Sequence, residues 1–129
     1  MAAMDCTVRA YSDEDREAFG RLHRHWLLDN DILEERDELD LADPVASYID
    51  PGGAVFVAVR DGTLVASVAV TPFDDRSVEL TKFAVDPEWQ GRGLGRMLLD
   101  RVLDWARTRG AAPHRPHLEP PIGPRASNL

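Results

Sequence analysis

Two β-rich runs, Ala54–Arg60 and Thr63–Thr71, are separated by nothing but Asp61-Gly62. So short a connection admits only an antiparallel hairpin, because a parallel pair needs a long crossover. Asp-Gly also suits the type I′ turn, in which both central residues take positive φ and the backbone follows the strand twist. Pro72-Phe73-Asp74-Asp75 predicts a second reversal, Val78–Val85 a third strand, and Asp86-Pro87 its end. A three-stranded antiparallel unit therefore occupies the middle of the chain, and the flanking segments must supply what covers it.

On the N-terminal side Thr7–Tyr11 reads as a strand. Ser12 reads as a helix N-cap, with Asp15 three residues on in near capping-box spacing. The helix that follows puts Ala18, Phe19, Leu22 and Trp26 on one face and runs to about Leu28. A second helix is expected from Ile32 to Leu39, a turn from Pro44 to Tyr48, and a break at Pro51-Gly52-Gly53. On the C-terminal side a glycine-rich turn, Gln90–Gly95, opens an amphipathic helix over Leu94–Thr108. Leu98, Leu99, Val102, Leu103 and Ala106 form its inner face, and Arg96, Asp100, Asp104 and Arg107 its outer face. Gly110 stands where a C-cap glycine belongs. Five of the 9 prolines fall after it, so the tail cannot be helical, and only His117–Glu119 suits a strand. The expected organisation is one domain over 1–110 and a proline-rich, irregular or disordered tail over 111–129, with no internal repeat.

Length and charge narrow the function classes. A chain of 129 residues holds one domain with one core. Its net charge of −8 argues against a nucleic-acid partner, which needs a basic face. No apolar stretch is long enough for a transmembrane helix and no signal-peptide core is present, so the expected location is the cytoplasm, with no membrane partner. One cysteine, Cys6, precludes an internal disulfide and a cysteine-rich metal site, and it reads as a small buried hydrophobe; no metal is expected. Trp26, Trp89 and Trp105 read as core or core-edge residues. Of the 15 basic residues only Lys82 is a lysine. Seven acids against Arg36 alone lie between Asp31 and Asp43. That run is either a solvated face or an attractive rim for a cationic substrate.

Gln90-Gly91-Arg92-Gly93-Leu94-Gly95-Arg96 joins a strand to a helix N-terminus. Unpaired backbone N–H groups and the helix dipole there favour an anion, glycines allow close approach, and Arg92 and Arg96 add charge-assisted donors. Leu98 stands where the dinucleotide fingerprint requires its third glycine, and no lysine completes a P-loop.

Val78-Glu-Leu-Thr-Lys-Phe-Ala-Val85 followed by Asp86-Pro-Glu-Trp-Gln-Gly-Arg-Gly-Leu-Gly-Arg-Met-Leu-Leu99 resembles the central motif of GNAT-type N-acetyltransferases, with its Gln/Arg-x-x-Gly-x-Gly/Ala signature on Gln90, Gly93 and Gly95. The element order agrees over roughly residues 5 to 110. The resemblance implies an α+β (α/β-like) fold: a mixed, mostly antiparallel central sheet flanked by helices, of acyl-CoA N-acyltransferase type. It implies that Gly91, Arg92, Gly93, Leu94, Gly95 and Arg96, with Gln90, hold the pyrophosphate of acetyl-CoA, and that Phe83, Ala84 and Val85 bind its pantetheine arm as an added strand. An N–H near Val85 would polarise the thioester carbonyl, and the acceptor amine would attack directly.

An amine attacks only when neutral, so a base is needed near pH 7. Glu79, six residues before Val85 where related enzymes often carry an acid, is the candidate; its alternative role is an exposed carboxylate paired with Lys82 or an arginine. His23 and His25 are alternative bases. The acceptor, a small-molecule or protein amine, is expected to meet the segment from His25 to Asp43. The family pattern continues with a strand, a helix bearing a Tyr general acid and a final strand pair, whereas only 19 residues follow Gly110 here and none is Tyr. The expectation is a shortened form lacking those last elements. It is an active transferase, an acyl-CoA-binding module without turnover, or a domain completed by a partner or by homodimerisation.

Overall fold

The structure is a computed structural model and describes residues 6–29 and 35–113. Its strands are β1 (Thr7–Ala10), β2 (Ala54–Arg60), β3 (Thr63–Asp74), β4 (Ser77–Val85) and β5 (Ala112–Pro113); its helices are α1 (Arg16–Asp29), α2 (Glu35–Ala42) and α3 (Leu94–Thr108). They form one sheet in the order β1-β2-β3-β4-β5, antiparallel throughout except for β5, which runs parallel to β4.

The hairpin is as expected: Asp61 and Gly62 have φ of 51° and 80°, and Arg60 faces Thr63. The second reversal is not where the proline suggests. β3 continues through Pro72 to Asp74, and the chain turns at Asp75-Arg76. A register shift between Pro72 and Asp74 accommodates the residue that cannot donate. The Asp74 carboxylate then closes the turn, accepting from the Arg76 N–H and the Ser77 hydroxyl, both at 2.8 Å.

Both faces of the sheet are covered, which explains the unbroken buried run from Val65 to Val70. One face, carrying Phe56, Ala58, Val68 and Val70, packs on Leu94, Leu98 and Val102 of α3, with Cys6 buried beside them. The other, carrying Val55, Val57 and Ala69, packs on Phe19, Leu27 and Leu41 of α1 and α2. Trp89 and Trp105 edge the first core and Trp26 the second. On α3 the buried stripe is Leu94, Leu98, Val102 and Ala106, four residues apart; Leu99, expected inside, is exposed because the sheet covers only that stripe. The α3 end is a Schellman motif, with Gly110 N–H on Arg107 C=O at 3.0 Å and Ala111 N–H on Ala106 C=O at 2.9 Å.

α1 is entered through a 3-10 turn, Asp13–Asp15, in which the Ser12 N–H donates to the Asp15 carboxylate at 2.9 Å. Arg9 of β1 grips the same carboxylate through two bonds of 2.8 and 2.9 Å. α2 ends later than expected, at Ala42, so that Leu41 is buried and Leu39 exposed; Asp43-Pro44 stops it, since the residue before proline avoids the helical region. The Ile32 start of that expected helix lies outside the described residues. A single wide turn, Val45–Ile49, follows. The sequence reading placed no strand before His117, yet Ala112 and Pro113 pair with Ser77 and Val78. Proline is tolerated at that sheet edge. His117–Glu119 lies outside the described residues. Among the described residues no helix is long and apolar enough to cross a membrane.

Candidate active site

β4 is the strand on which the site is built. β5 covers only its first two residues, so among the described residues the edge from Glu79 to Val85 has no strand beside it. The Asp86 N–H bonds to Val65 C=O at 2.8 Å, which fixes the phase of the ladder. Alternation then turns the N–H and C=O groups of Val85 and Phe83 away from β3, toward the open edge, while the buried Ala84 points its groups inward. The Val85 carbonyl is already taken, by Gln90 Nε2 at 3.3 Å. Gln90 thus braces the strand end against the turn that follows.

That turn leads into α3. Gly91 and Gly93 have φ of 78° and 87°, in the left-handed region, and a side chain at either would point into open space. The glycines are therefore required by backbone conformation and not by crowding. Gly95 is the reverse case: its Cβ would lie 3.1 Å from the Phe83 ring, so the missing side chain lets Phe83 pack against the helix start. From Gly91 to Arg96 the backbone N–H groups find no acceptor among the described residues; the first helical bond is Met97 N–H to Gly93 C=O, at 3.1 Å. Six donors thus converge at a helix N-terminus, the arrangement that favours an anion, next to a strand edge left uncovered among the described residues. Arg92 is anchored beside it by its bond to Glu88 C=O at 3.2 Å and by stacking 4.9 Å over Trp89, whose ring also carries Arg60 at 5.0 Å. Arg96 points to Asp100, 3.6 Å away on the exposed helix surface.

A cleft of about 470 Å³ opens on the opposite side of the same edge. α1 contributes His23, Trp26 and Leu27 to it, α2 contributes Asp37, and β4 contributes its stretch from Leu80 to Phe83. A β-bulge shapes the strand here: Val70 faces Leu80 and Ala69 faces Lys82, leaving Thr81 extra, its hydroxyl on Ala69 C=O at 3.1 Å. Lys82 reaches across to Asp37 at 3.0 Å, with the two side chains only 13% and 16% exposed. His23 is buried, its ring 4.4 Å from that of Phe19, and its Nε2 finds no partner among the described residues. Burial, and secondarily the Lys82 charge, push its pKa down to about 3. It is therefore neutral near pH 7 and too weak to deprotonate an ammonium group. His25 is exposed and lines a different hollow, with Arg21 and Asp86.

Glu79 is half-buried, opposite Thr71, on the sheet face shared with Ala69 and Lys82. The expected alternative pairing does not occur: Lys82 is bound to Asp37, and Glu79 has no hydrogen bond or ion pair among the described residues. Glu79 is not among the residues that line the cleft. The acidic run is partly neutralised, through Lys82–Asp37 and through Arg24–Glu38 at 2.8 Å. Sequence reasoning missed the Lys82–Asp37 pair, the placement of His23 and the Thr81 bulge. Its only available signal was the lone lysine in an arginine-rich chain.

With this geometry in place, the relationships to known proteins are direct. The sequence pattern of the acetyltransferase (GNAT) family matches residues 8–118, and the chain belongs to that family. The match extends beyond the boundary expected at residue 110. N-acetylaspartate synthetase of Rattus norvegicus is 41% identical over 69 residues, which are 52% of this chain and 23% of that protein. The chain thus spans about a quarter of the length of such relatives. The fold matches a GNAT-family acetyltransferase of Staphylococcus aureus with a TM-score of 0.73 at 19% identity, over 81% of this chain and 67% of the other. It also matches N-acetylglutamate synthase of Neisseria gonorrhoeae, solved with coenzyme A and N-acetyl-glutamate, with a TM-score of 0.62 at 24% identity, over 82% of this chain and 23% of the other.

Proposed function

We propose that this chain is an N-acetyltransferase that binds acetyl-CoA and transfers its acetyl group to a primary amine by direct attack. The observation that carries the reading is the run of six N–H groups from Gly91 to Arg96 without an acceptor among the described residues, placed at the head of α3 beside the edge of β4 that no described strand covers. The pyrophosphate fits the first feature and an extended amide-bearing arm the second, since each supplies what the backbone there lacks. Phe83, Ala84 and Val85 form the strand to which the arm adds, and the outward Val85 N–H is the donor for the thioester carbonyl. Coenzyme A bound to a structural relative supports the same cofactor here.

The amine enters from the cleft between α1, α2 and β4. Glu79 is the proposed base: its half-buried carboxylate has no cationic partner among the described residues and lies on the sheet face that borders the cleft, from where it acts through water. Acetyl-CoA, when bound, would supply the acyl carbon that the neutral amine attacks; Glu79 would take the proton of the ammonium form, and the proton lost from nitrogen on amide formation would pass to the departing thiol. We further read residues 1–110 as the catalytic domain, working in the cytoplasm, where a chain with a single cysteine is at home.

Calorimetric titration with coenzyme A tests the cofactor, and thiol release over an amine panel tests the transfer. Binding in the wild type that disappears in Gly93→Glu, with thiol release on adding an amine, is expected. Unaltered affinity in that variant would overturn the cofactor site. Tight binding without turnover on any amine would reduce the chain to an acyl-CoA-binding module.

A further inference from the structure

We propose that the acceptor is a free α-amino acid with an apolar side chain, docked by its two charged ends on the Lys82–Asp37 pair and touched by His23. The proposal rests on the transferase reading above and adds the chemistry of the acceptor.

The ion pair sits in the cleft wall with both side chains largely removed from water. A lysine ammonium has three donors, and the bond to Asp37 takes one; no other partner of Lys82 exists among the described residues. A half-shielded ammonium with idle donors is a receptor for a carboxylate. The adjacent Asp37 carboxylate faces the same space, and an amino acid carries its amine one carbon away from its own carboxylate. Docking therefore places the substrate carboxylate on Lys82 and its amine against Asp37, so that every charge has an opposite neighbour.

His23 supplies the third contact. Its Nε2 is buried and lacks a partner among the described residues, and His23 is one of the residues that line the same cleft. An unpaired buried ring nitrogen is costly, and a ligand N–H or oxygen removes that cost. Because the ring is neutral, it adds a hydrogen bond without adding charge.

Net charge then selects the side chain. Among the described lining residues Lys82 is the one cation and Asp37 the one carboxylate, so the described lining carries no net charge. A zwitterion matches it. A polyamine or an acidic side chain brings a charge that the wall cannot pair, at a desolvation cost. Trp26, Leu27 and Leu80 offer apolar surface for an aliphatic side chain.

The test is binding to the intact chain, read from the His23 ring-proton NMR signals, with and without saturating coenzyme A. The probes are L-leucine, L-leucinamide and 3-methylbutylamine, the last two lacking the carboxylate, together with L-aspartate and spermidine. L-leucine is expected to move the His23 signals and to bind at least about tenfold tighter than each of the others. Lys82→Met is expected to remove that preference by weakening L-leucine alone, and Lys82→Arg to restore part of it. No His23 response to L-leucine under either condition, or L-leucinamide or spermidine binding as tightly, overturns the proposal using wild-type protein alone. Equal weakening of L-leucine and L-leucinamide by Lys82→Met overturns the role of Lys82. Coenzyme A binding is scored separately: its absence beside a preserved L-leucine response refutes the transferase reading and leaves the amino-acid site standing.

Discussion

Acidification from pH 7.5 to 5.0 should cost this protein about 2 kcal/mol of stability through His23 alone. The imidazole has its ordinary value of 6.5 in the unfolded chain and about 3 in the folded one, where burial beside Phe19 and the facing Lys82 disfavour its cation. A folded-state pKa below the unfolded one means that the native protein binds fewer protons. The stabilisation is complete above pH 6.5 and is lost as pH falls toward the folded value, by about 1.4 kcal/mol per unit. At pH 5.0 the unfolded ring lies 1.5 units below its own value, which gives roughly 2 kcal/mol. For a domain of this size that corresponds to a fall in Tm of about 6–10 °C. The window is well chosen because carboxylates remain mostly ionised above pH 5. Urea unfolding at pH 7.5, 6.5, 5.8 and 5.0, about evenly spaced across the transition, should be run on the wild type and His23→Gln. His23→Gln is expected to be less stable at pH 7.5 but nearly flat with pH. If His23→Gln retains the wild-type slope, His23 is not the titrating group and its burial has been misjudged.

Three further outcomes follow from the geometry. Gly95→Glu must displace the Phe83 ring that lies 3.1 Å from its Cβ position, and it adds an anion beside the six N–H donors, so coenzyme A affinity should fall at least about a hundredfold by calorimetry. Glu79→Gln should lower kcat about a hundredfold at pH 7, with the deficit shrinking toward pH 10, where a substantial fraction of an alkylamine is already neutral; a constant deficit across that range would remove its role as base. Asp15→Asn should cost about 2 kcal/mol in denaturant unfolding, because the buried Asp15 carboxylate takes two bonds from Arg9 and one from the Ser12 N–H. These contacts hold the Asp15 carboxyl below its ordinary value, so the wild-type advantage is present above about pH 4 and disappears as pH falls through the folded value. An advantage that persists at pH 2 would contradict this, about two units below the ordinary carboxylate value.

The legible parts of the molecule were those governed by neighbours in sequence. Asp61-Gly62 dictates its hairpin because a two-residue turn needs positive φ at both positions. Gly91 and Gly93 announce the turn before α3 for the same reason, and Gly110 the helix end. Errors arose where a local signal met a tertiary constraint. Pro72 looks like a turn but sits within a strand whose register shift absorbs it. Leu99 fits the apolar pattern of α3 but lies beyond the strip that the sheet covers. The end of α2 moved because burying Leu41 outweighs the pattern that favoured stopping at Leu39.

The amino-acid sequence by itself determined the hairpin, the glycine turn and the family, since backbone conformation over a few residues is decided by which residues they are. Only the tertiary structure decided what lines the cleft beside β4. His23, Asp37 and Lys82 come from α1, α2 and β4, and no spacing rule relates them. Their meeting depends on the packing of α1 and α2 on one sheet face and on the bulge at Thr81, which sets where Lys82 stands along β4. The proposed cofactor contacts are backbone groups and local; the proposed acceptor contacts are side chains assembled across the fold.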